Sequence, residues 1–352
     1  MNNNSNKKYK VLKTLATILK ISGGLPFSAC YSGIGSILMM HRVVPESKKD
    51  RIWANAHLEI TPEHLESAVK YYKKQKYHFA SLDELHHILI NKEKIKHRLV
   101  VFSFDDGYKD NVQYAYPVLK KHKVPFAIYV ITDFPDQKTI LWWDVLENEI
   151  MKKDKISFDW YGEKYHYQCV TYEEKVNAFE SIHALIQSGS QEDINSRAKK
   201  FCDITGNNPF EMVEKLALNW NDIQQLSEDP LVTIGSHTIS HAVLKNLSDK
   251  ESYKELKISK DILENRITKK IEHISYPFGG HEHSFLREYD FASGIGYKIG
   301  TTTVSAPVFK EHKNRLLYLP RVEYGSTMNN NTLDLNRFGL LNFLRNKGIR
   351  IN

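Results

Sequence analysis

The chain is poor in cysteine: Cys30, Cys169 and Cys202 are the only three in 352 residues. They are far apart and odd in number, so no disulfide framework is expected and a reducing compartment is permitted. Uninterrupted apolar runs of the roughly 18 residues needed for a membrane-spanning helix are also missing. No internal repeat is visible. The net charge of +7 is modest and dispersed. With no nucleic-acid recognition motif beside it, that charge argues for solubility and against a nucleic-acid partner. What the chain does have is 41% hydrophobic and 11% aromatic content, enough for a sizeable core. Its length suits either two domains or one α/β barrel with an insertion.

Residues 1–35 form a basic N-terminal segment. Lys7-Lys8-Tyr9-Lys10 is similar to the start of a secretory signal, but Lys13 and Lys20 interrupt the apolar stretch that follows, where a signal should be continuous. Phe27-Ser28-Ala29-Cys30 is faintly similar to a lipoprotein cleavage site, yet cleavage there would leave almost no linker before Ile37. The expectation is an amphipathic helix that lies on an acidic membrane surface or packs on the domain. A cytoplasmic, membrane-associated location follows from it, with secretion ranked behind.

The remaining chain is organised around Phe102-Ser103-Phe104-Asp105-Asp106-Gly107-Tyr108. The apolar run from Leu99 reads as a buried strand. Two adjacent carboxylates at its end need a reason, because buried unpaired carboxylates are costly and like charges push each other's protonation apart. A metal ion that binds one and leaves the other as a base resolves the conflict. A pair of helix N-cap acids is the plainer explanation, but it leaves unexplained the histidines described below.

Taken in order, Ile37–His41 reads as a first strand ending in a histidine. Thr61 caps a helix with Pro62 at its first position, and Ser81 with Glu84 forms a capping-box pattern. The strand before Asp105 follows, then a helix over 110–122 and a strand over 125–132. This β, α, β, α, β order indicates a parallel sheet or barrel. Residues 135–229 break the rhythm and are read as a mostly helical insertion. Trp142 and Trp143 either pack that insertion onto the barrel or shape a substrate mouth. Strands resume at 231–237, 271–279, 297–302 and 317–323, with Ser248 and Glu251 capping a helix between the first two. A basic tail, 326–352, ends the chain.

His237-Thr238-Ile239-Ser240-His241 places two imidazoles at i and i+4, able to share an ion. Chance could produce this spacing among sixteen histidines. The context strengthens it, because both motifs follow predicted strands, and in parallel barrels reactive groups gather at strand C-termini. One carboxylate with two imidazoles leaves an open position for water, the catalytic arrangement.

Phe104-Asp105-Asp106-Gly107 and His237-Thr238-x-x-His241, in this order, resemble the first two motifs of the polysaccharide deacetylase family (NodB homology, carbohydrate esterase family four). Tyr276-Pro277-Phe278-Gly279 is similar to the third. The resemblance covers roughly residues 36–325. It implies a distorted (β/α) barrel of about seven parallel strands and hydrolysis of acetyl groups, usually from N-acetylated sugars. It further implies that Asp106, His237 and His241 hold a divalent ion, zinc by preference, and that Asp105 is the base that activates water. The Phe278 backbone N–H would stabilise the oxyanion, and Gly279 and Gly280 would let the backbone approach substrate. Two positions depart from the family. Ser275 stands where an arginine usually orients the base, and Arg321 is the candidate replacement. Leu319-Pro320-Arg321-Val322 lacks the histidine that serves as general acid; His281, His283 and His41 are the candidates. These departures keep two alternatives open: a related barrel hydrolase acting on a non-sugar amide, and a non-catalytic glycan-binding barrel.

Overall fold

The structure, a computed structural model, describes residues 14, 17–18, 28–45, 51–188, 194–280 and 286–351. Most of the N-terminal segment, and both His281 and His283, lie outside the described residues. Among the described residues, no helix is long and apolar enough to cross a membrane.

Seven parallel strands among these residues close into a barrel: β1 (Gly35–Met40), β2 (Leu99–Phe104), β3 (Phe126–Val130), β4 (Val232–Ser236), β5 (His273–Ser275), β6 (Ile299–Ser305) and β7 (Leu319–Glu323). Closure comes from β1, which pairs with β2 along its length (Gly35↔Leu99 to Met40↔Phe104) and with β7 at Leu38↔Val322. A two-residue strand, His78–Phe79, pairs with the start of β2, ahead of the point where β3 takes over at Phe102↔Phe126.

Side chains alternate across each strand, as the two-residue period requires. Leu38, Met40, Phe102, Phe104 and Ile128 face outward into the layer between barrel and helices. Ile37, Val101, Tyr129, Ile299 and Leu319 form a second cluster, with Leu82, Leu85 and Leu89 of helix α1 (Leu82–Asn91). These strands are covered on both sides, which is why they read as continuous apolar runs. Ser103, Ser275, Thr301 and Arg321 are also fully buried, so polar groups replace apolar ones towards the strand C-termini.

The caps expected from sequence are present. Thr61 accepts from His64 N at 3.1 Å and Ser81 from Glu84 N at 3.1 Å. Ser248 and Glu251 make the full reciprocal capping box. The insertion is mostly helical, as expected. Besides α2 (Trp142–Lys152), α3 (Tyr172–Gln187) and α4 (Ile194–Thr205), it holds an antiparallel hairpin, Lys155–Trp160 with Glu163–Gln168. Ile156, Phe158 and Trp160 are buried between exposed Lys155, Ser157 and Asp159, an alternation that signals a strand. Gly162, at φ 90°, makes the turn. The insertion has its own core around Leu146, Ile150, Phe179 and Phe201, which also takes in Ile52. The basic C-terminal stretch is helical as well. Helices Asn330–Arg337 and Leu340–Arg345 fold back, Leu333 joins the main core, and Tyr71 Oη donates to Asp334 at 2.8 Å.

Thr268 ends the helix Asp249–Ile267 in the left-handed region, at φ 56°. A β-branched residue is poorly suited there, and glycine is the usual solution. The side chain is exposed. Thr268→Gly should therefore stabilise the protein by about 1 kcal/mol, measured as a rise in the urea midpoint at constant m-value.

Candidate active site

The strand ends bring together groups that are distant in sequence. Asp105 and Asp106 leave β2, His237 leaves β4, and Ser275 ends β5. Left-handed backbone concentrates here: Asp106 (φ 70°), Thr238 (φ 66°), His241 (φ 60°) and Phe278 (φ 59°). Such conformations cost energy in residues other than glycine and persist where surrounding structure holds them. At Asp106 the left-handed turn separates the two carboxylates, so neighbouring side chains meet different partners.

Asp105 turns to Arg321. Nη1 donates to Oδ1 at 2.7 Å and Nη2 to Oδ2 at 2.6 Å, a bidentate fork. Arg321 is 1% exposed. Its Nη2 also donates to Ser275 Oγ at 2.9 Å and its Nε to the Thr302 carbonyl at 2.9 Å. The β6–β7 register shifts between Thr301 and Ser305, an irregularity that accompanies the Thr302 contact. Burial alone would raise the Asp105 carboxyl; the Arg321 guanidinium outweighs it and holds the group well below the usual carboxylate range.

Asp106 turns the other way. Its Oδ1 lies 3.3 Å from His237 Nε2 and 3.6 Å from His241 Nε2. Among the described residues these three form one cluster able to hold a metal, with ligand atoms within 4.8 Å of one another. The donor set fits a divalent ion. His237 Nδ1 donates to the Ser275 carbonyl at 2.7 Å, which leaves the Nε2 lone pair towards Asp106. His241 packs against Trp143 (5.2 Å between ring centroids) and Phe278 (4.7 Å). Burial there pushes its imidazole down to about 3, so it stays neutral, as a ligand must. At His237 burial also disfavours the charged ring, but the Asp106 contact and both carboxylates prevail and raise its pKa.

The other residues anticipated from sequence divide. His41 follows β1 as Asp105 follows β2, in the same register. It lines the cavity beside the cluster, and its buried Nδ1 lacks a hydrogen-bond partner among the described residues. Phe278 and Tyr276 line the same cavity, though the Tyr276 hydroxyl is committed to the Leu317 carbonyl at 3.1 Å. Gly279 approaches the protein itself closely: a Cβ there would lie 2.6 Å from Thr303 N. Arg42, Arg51, Tyr108, Asp144 and His183 also line the cavity, and the sequence reading missed them as site residues. For Asp144 a signal existed, an acid directly after two tryptophans.

A barrel with a carboxylate–imidazole cluster and a separately held second carboxylate at its strand ends is the architecture of a hydrolase. The sequence profile of the polysaccharide deacetylase family matches residues 92–294, more than half of the chain. The protein belongs to the polysaccharide deacetylase family, and it is an enzyme of the kind that hydrolyses carbon–nitrogen bonds of carbohydrates. A Bacillus subtilis (strain 168) protein named for polysaccharide deacetylation, YxkH, is 23% identical over 268 residues, covering 76% of this chain and 67% of its own. The Streptococcus pyogenes deacetylase PplD, solved with acetate, superposes with a TM-score of 0.57 at 21% identity, covering 85% of this chain and 96% of its own. IcaB from Ammonifex degensii gives 0.53 at 15% identity, covering 87% and 96%. At these identities the two structures bear on the fold alone. Arg321 and His41 both lie outside the span the family profile matches.

Two outcomes follow from the geometry. Arg321→Met leaves Asp105 buried and unpaired, and should destabilise the protein by about 3–5 kcal/mol, measured by denaturant unfolding; adding Asp105→Asn should recover part of that loss. Because a proton on His237 competes with an ion, metal affinity measured by calorimetry should weaken as pH falls through the raised His237 pKa and strengthen above it.

Proposed function

We propose that this chain is a metal-dependent hydrolase that removes acetyl groups from N-acetylated sugars of a surface polysaccharide or its precursor. The carrying observation is the convergence of Asp106, His237 and His241 beside a second carboxylate, Asp105, that Arg321 keeps ionised. A divalent ion, zinc by the preference of one carboxylate and two imidazoles, would be held by those three residues; it supplies a Lewis acid that lowers the pKa of water and polarises the acetyl carbonyl.

The chain's own groups do the rest. Asp105 takes a proton from water as that water attacks the acetyl carbon, its lone pairs oriented by the Arg321 fork. Arg321 from β7 acts in place of the arginine absent at Ser275. The Phe278 backbone N–H donates to the developing oxyanion. His41 protonates the leaving nitrogen; its position beside Asp105 and its Nδ1, which has no hydrogen-bond partner among the described residues, support that role. Trp143 and Phe278, packed on His241, keep bulk water from the reacting groups.

Acetate release from N-acetylated oligosaccharides should be lost on chelation and restored by adding back zinc. Asp105→Asn and His41→Gln should each lower kcat about 10²–10⁴-fold with metal content unchanged. Full activity of Asp105→Asn, or stoichiometric metal binding with no hydrolysis of any acetylated sugar, contradicts the reading. We further propose that the basic N-terminal segment rests on an acidic membrane surface in the cytoplasm. Sedimentation with anionic vesicles, lost when Lys7, Lys8, Lys10, Lys13 and Lys20 become glutamine, tests it.

A further inference from the structure

We propose that the cavity beside the Asp106–His237–His241 cluster admits a single N-acetylated sugar unit, free or at a chain end, whose ring hydroxyls are received by the Asp144 carboxylate. The inference rests on the deacetylase reading and adds to it the form in which substrate is presented.

The cavity measures about 200 Å³, smaller than the roughly 300–1,000 Å³ of pockets that enclose drug-sized ligands. The strand ends make its floor, and the walls come from elsewhere. Trp142, Trp143 and Asp144 open helix α2, Phe179 and His183 lie on α3, and Arg51 and Asn55 sit on the segment after β1. These walls are tied together. Glu147 on α2 accepts from Arg51 Nη2 at 2.7 Å, Asn55 Nδ2 at 2.8 Å and the Ile52 N–H at 2.8 Å. Asn55 Nδ2 also donates to the Trp143 carbonyl at 3.1 Å. The segment after β1 and the insertion are thus joined beside the site. The consequence is visible at the donors themselves: Asp106 is 6% and His237 2% exposed, and the His241 side chain 11%. A groove that accepted the middle of a polymer would leave those donors open along a line. Here a sugar reaches them by entering end-on.

Asp144 is a polar group of this pocket whose partners all stand at long distances. It is 8% exposed, and a buried carboxylate without close partners is costly. Arg42 and Arg51 approach its Oδ1 only to 3.8 and 3.9 Å. Both are committed elsewhere: Arg42 to Asp110 and Glu59 at 2.9 Å each, Arg51 to Glu59 at 2.7 Å and to Glu147. Tyr108 Oη reaches Oδ2 at a long 3.4 Å, while itself accepting from Trp143 Nε1 at 2.8 Å. Two guanidinium groups therefore face four carboxylates among the described residues, and Asp144 receives the weakest share. Neighbouring hydroxyls on a pyranose ring offer two O–H donors to one carboxylate, and Trp143 beside it offers an apolar face for the ring.

The test is made on the metal-loaded wild-type enzyme. A linear N-acetylated tetrasaccharide is compared with the same oligomer lacking acetamido groups on both terminal sugars, with products mapped by mass spectrometry. Acetate should leave a terminal sugar, and the end-blocked oligomer should react at least about tenfold more slowly. Equal reaction of internal sugars overturns the end-on pocket and leaves the deacetylase reading standing; no acetate from any N-acetylated sugar overturns both. For the anchor, Asp144→Asn should raise KM roughly ten- to hundredfold with kcat little changed. The loss should shrink on a substrate that lacks one of the ring hydroxyls. An unchanged KM overturns the role given to Asp144.

Discussion

The pairing of Asp105 with Arg321 is the interaction on which the site depends. Two full charges lie inside the barrel mouth, where desolvation costs several kcal/mol per ion unless geometry and further hydrogen bonds offset it. The fork offers both: two short N–H···O bonds, with Ser275 and Thr302 taking two of the guanidinium's remaining donors. Arginine suits this place and lysine would not, because a single ammonium cannot hold a carboxylate in one plane. With Asp105 fixed inward, Asp106 must turn outward, and its left-handed backbone is the local cost of that division. Adjacent like charges are thereby assigned separate counter-partners, a guanidinium for one and two imidazoles for the other.

A second layer holds the first in place. Ser275 is its centre, accepting from Arg321 through its hydroxyl and from His237 through its carbonyl. One residue thus couples the orientation of the proposed base to the tautomer of a proposed ligand. Arg321 reaches this position from β7, two places round the sheet from Ser275 on β5. A closed barrel makes such a reach feasible. All strand ends face one mouth, and a long side chain can reach the same carboxylate from β7 as from β5. The ends of the chain contribute in the same way, since β1 carries His41 and closes the barrel between β2 and β7.

The insertion changes what kind of site this is. Helices α2 and α3 bring tryptophans, Phe179 and Asp144 to the strand ends, and their ties to Arg51 and Asn55 turn an open mouth into a walled cavity. Within this barrel Asp105, Asp106 and His237 belong to the strand ends, and the cavity walls belong to the insertion and to the segment after β1. This agrees with the general rule that one scaffold serves many substrates through its loops.

The sequence by itself determined the strands, their order and the separation of Asp105-Asp106 from His237 and His241, because each depends on local periodicity or on chemistry within a few residues. The hairpin over 155–168 was legible too, in the alternation of Ile156, Phe158 and Trp160, but its aromatic richness and helical surroundings masked it. Only the tertiary structure decided which arginine faces Asp105, that His41 stands beside it, and that Asp144 lines the same cavity. Those pairings span separations such as Asp105 to Arg321, over which no short-range pattern carries information. They are set by barrel closure, which fixes neighbours in space by the register of hydrogen-bonded strands and not by distance along the chain.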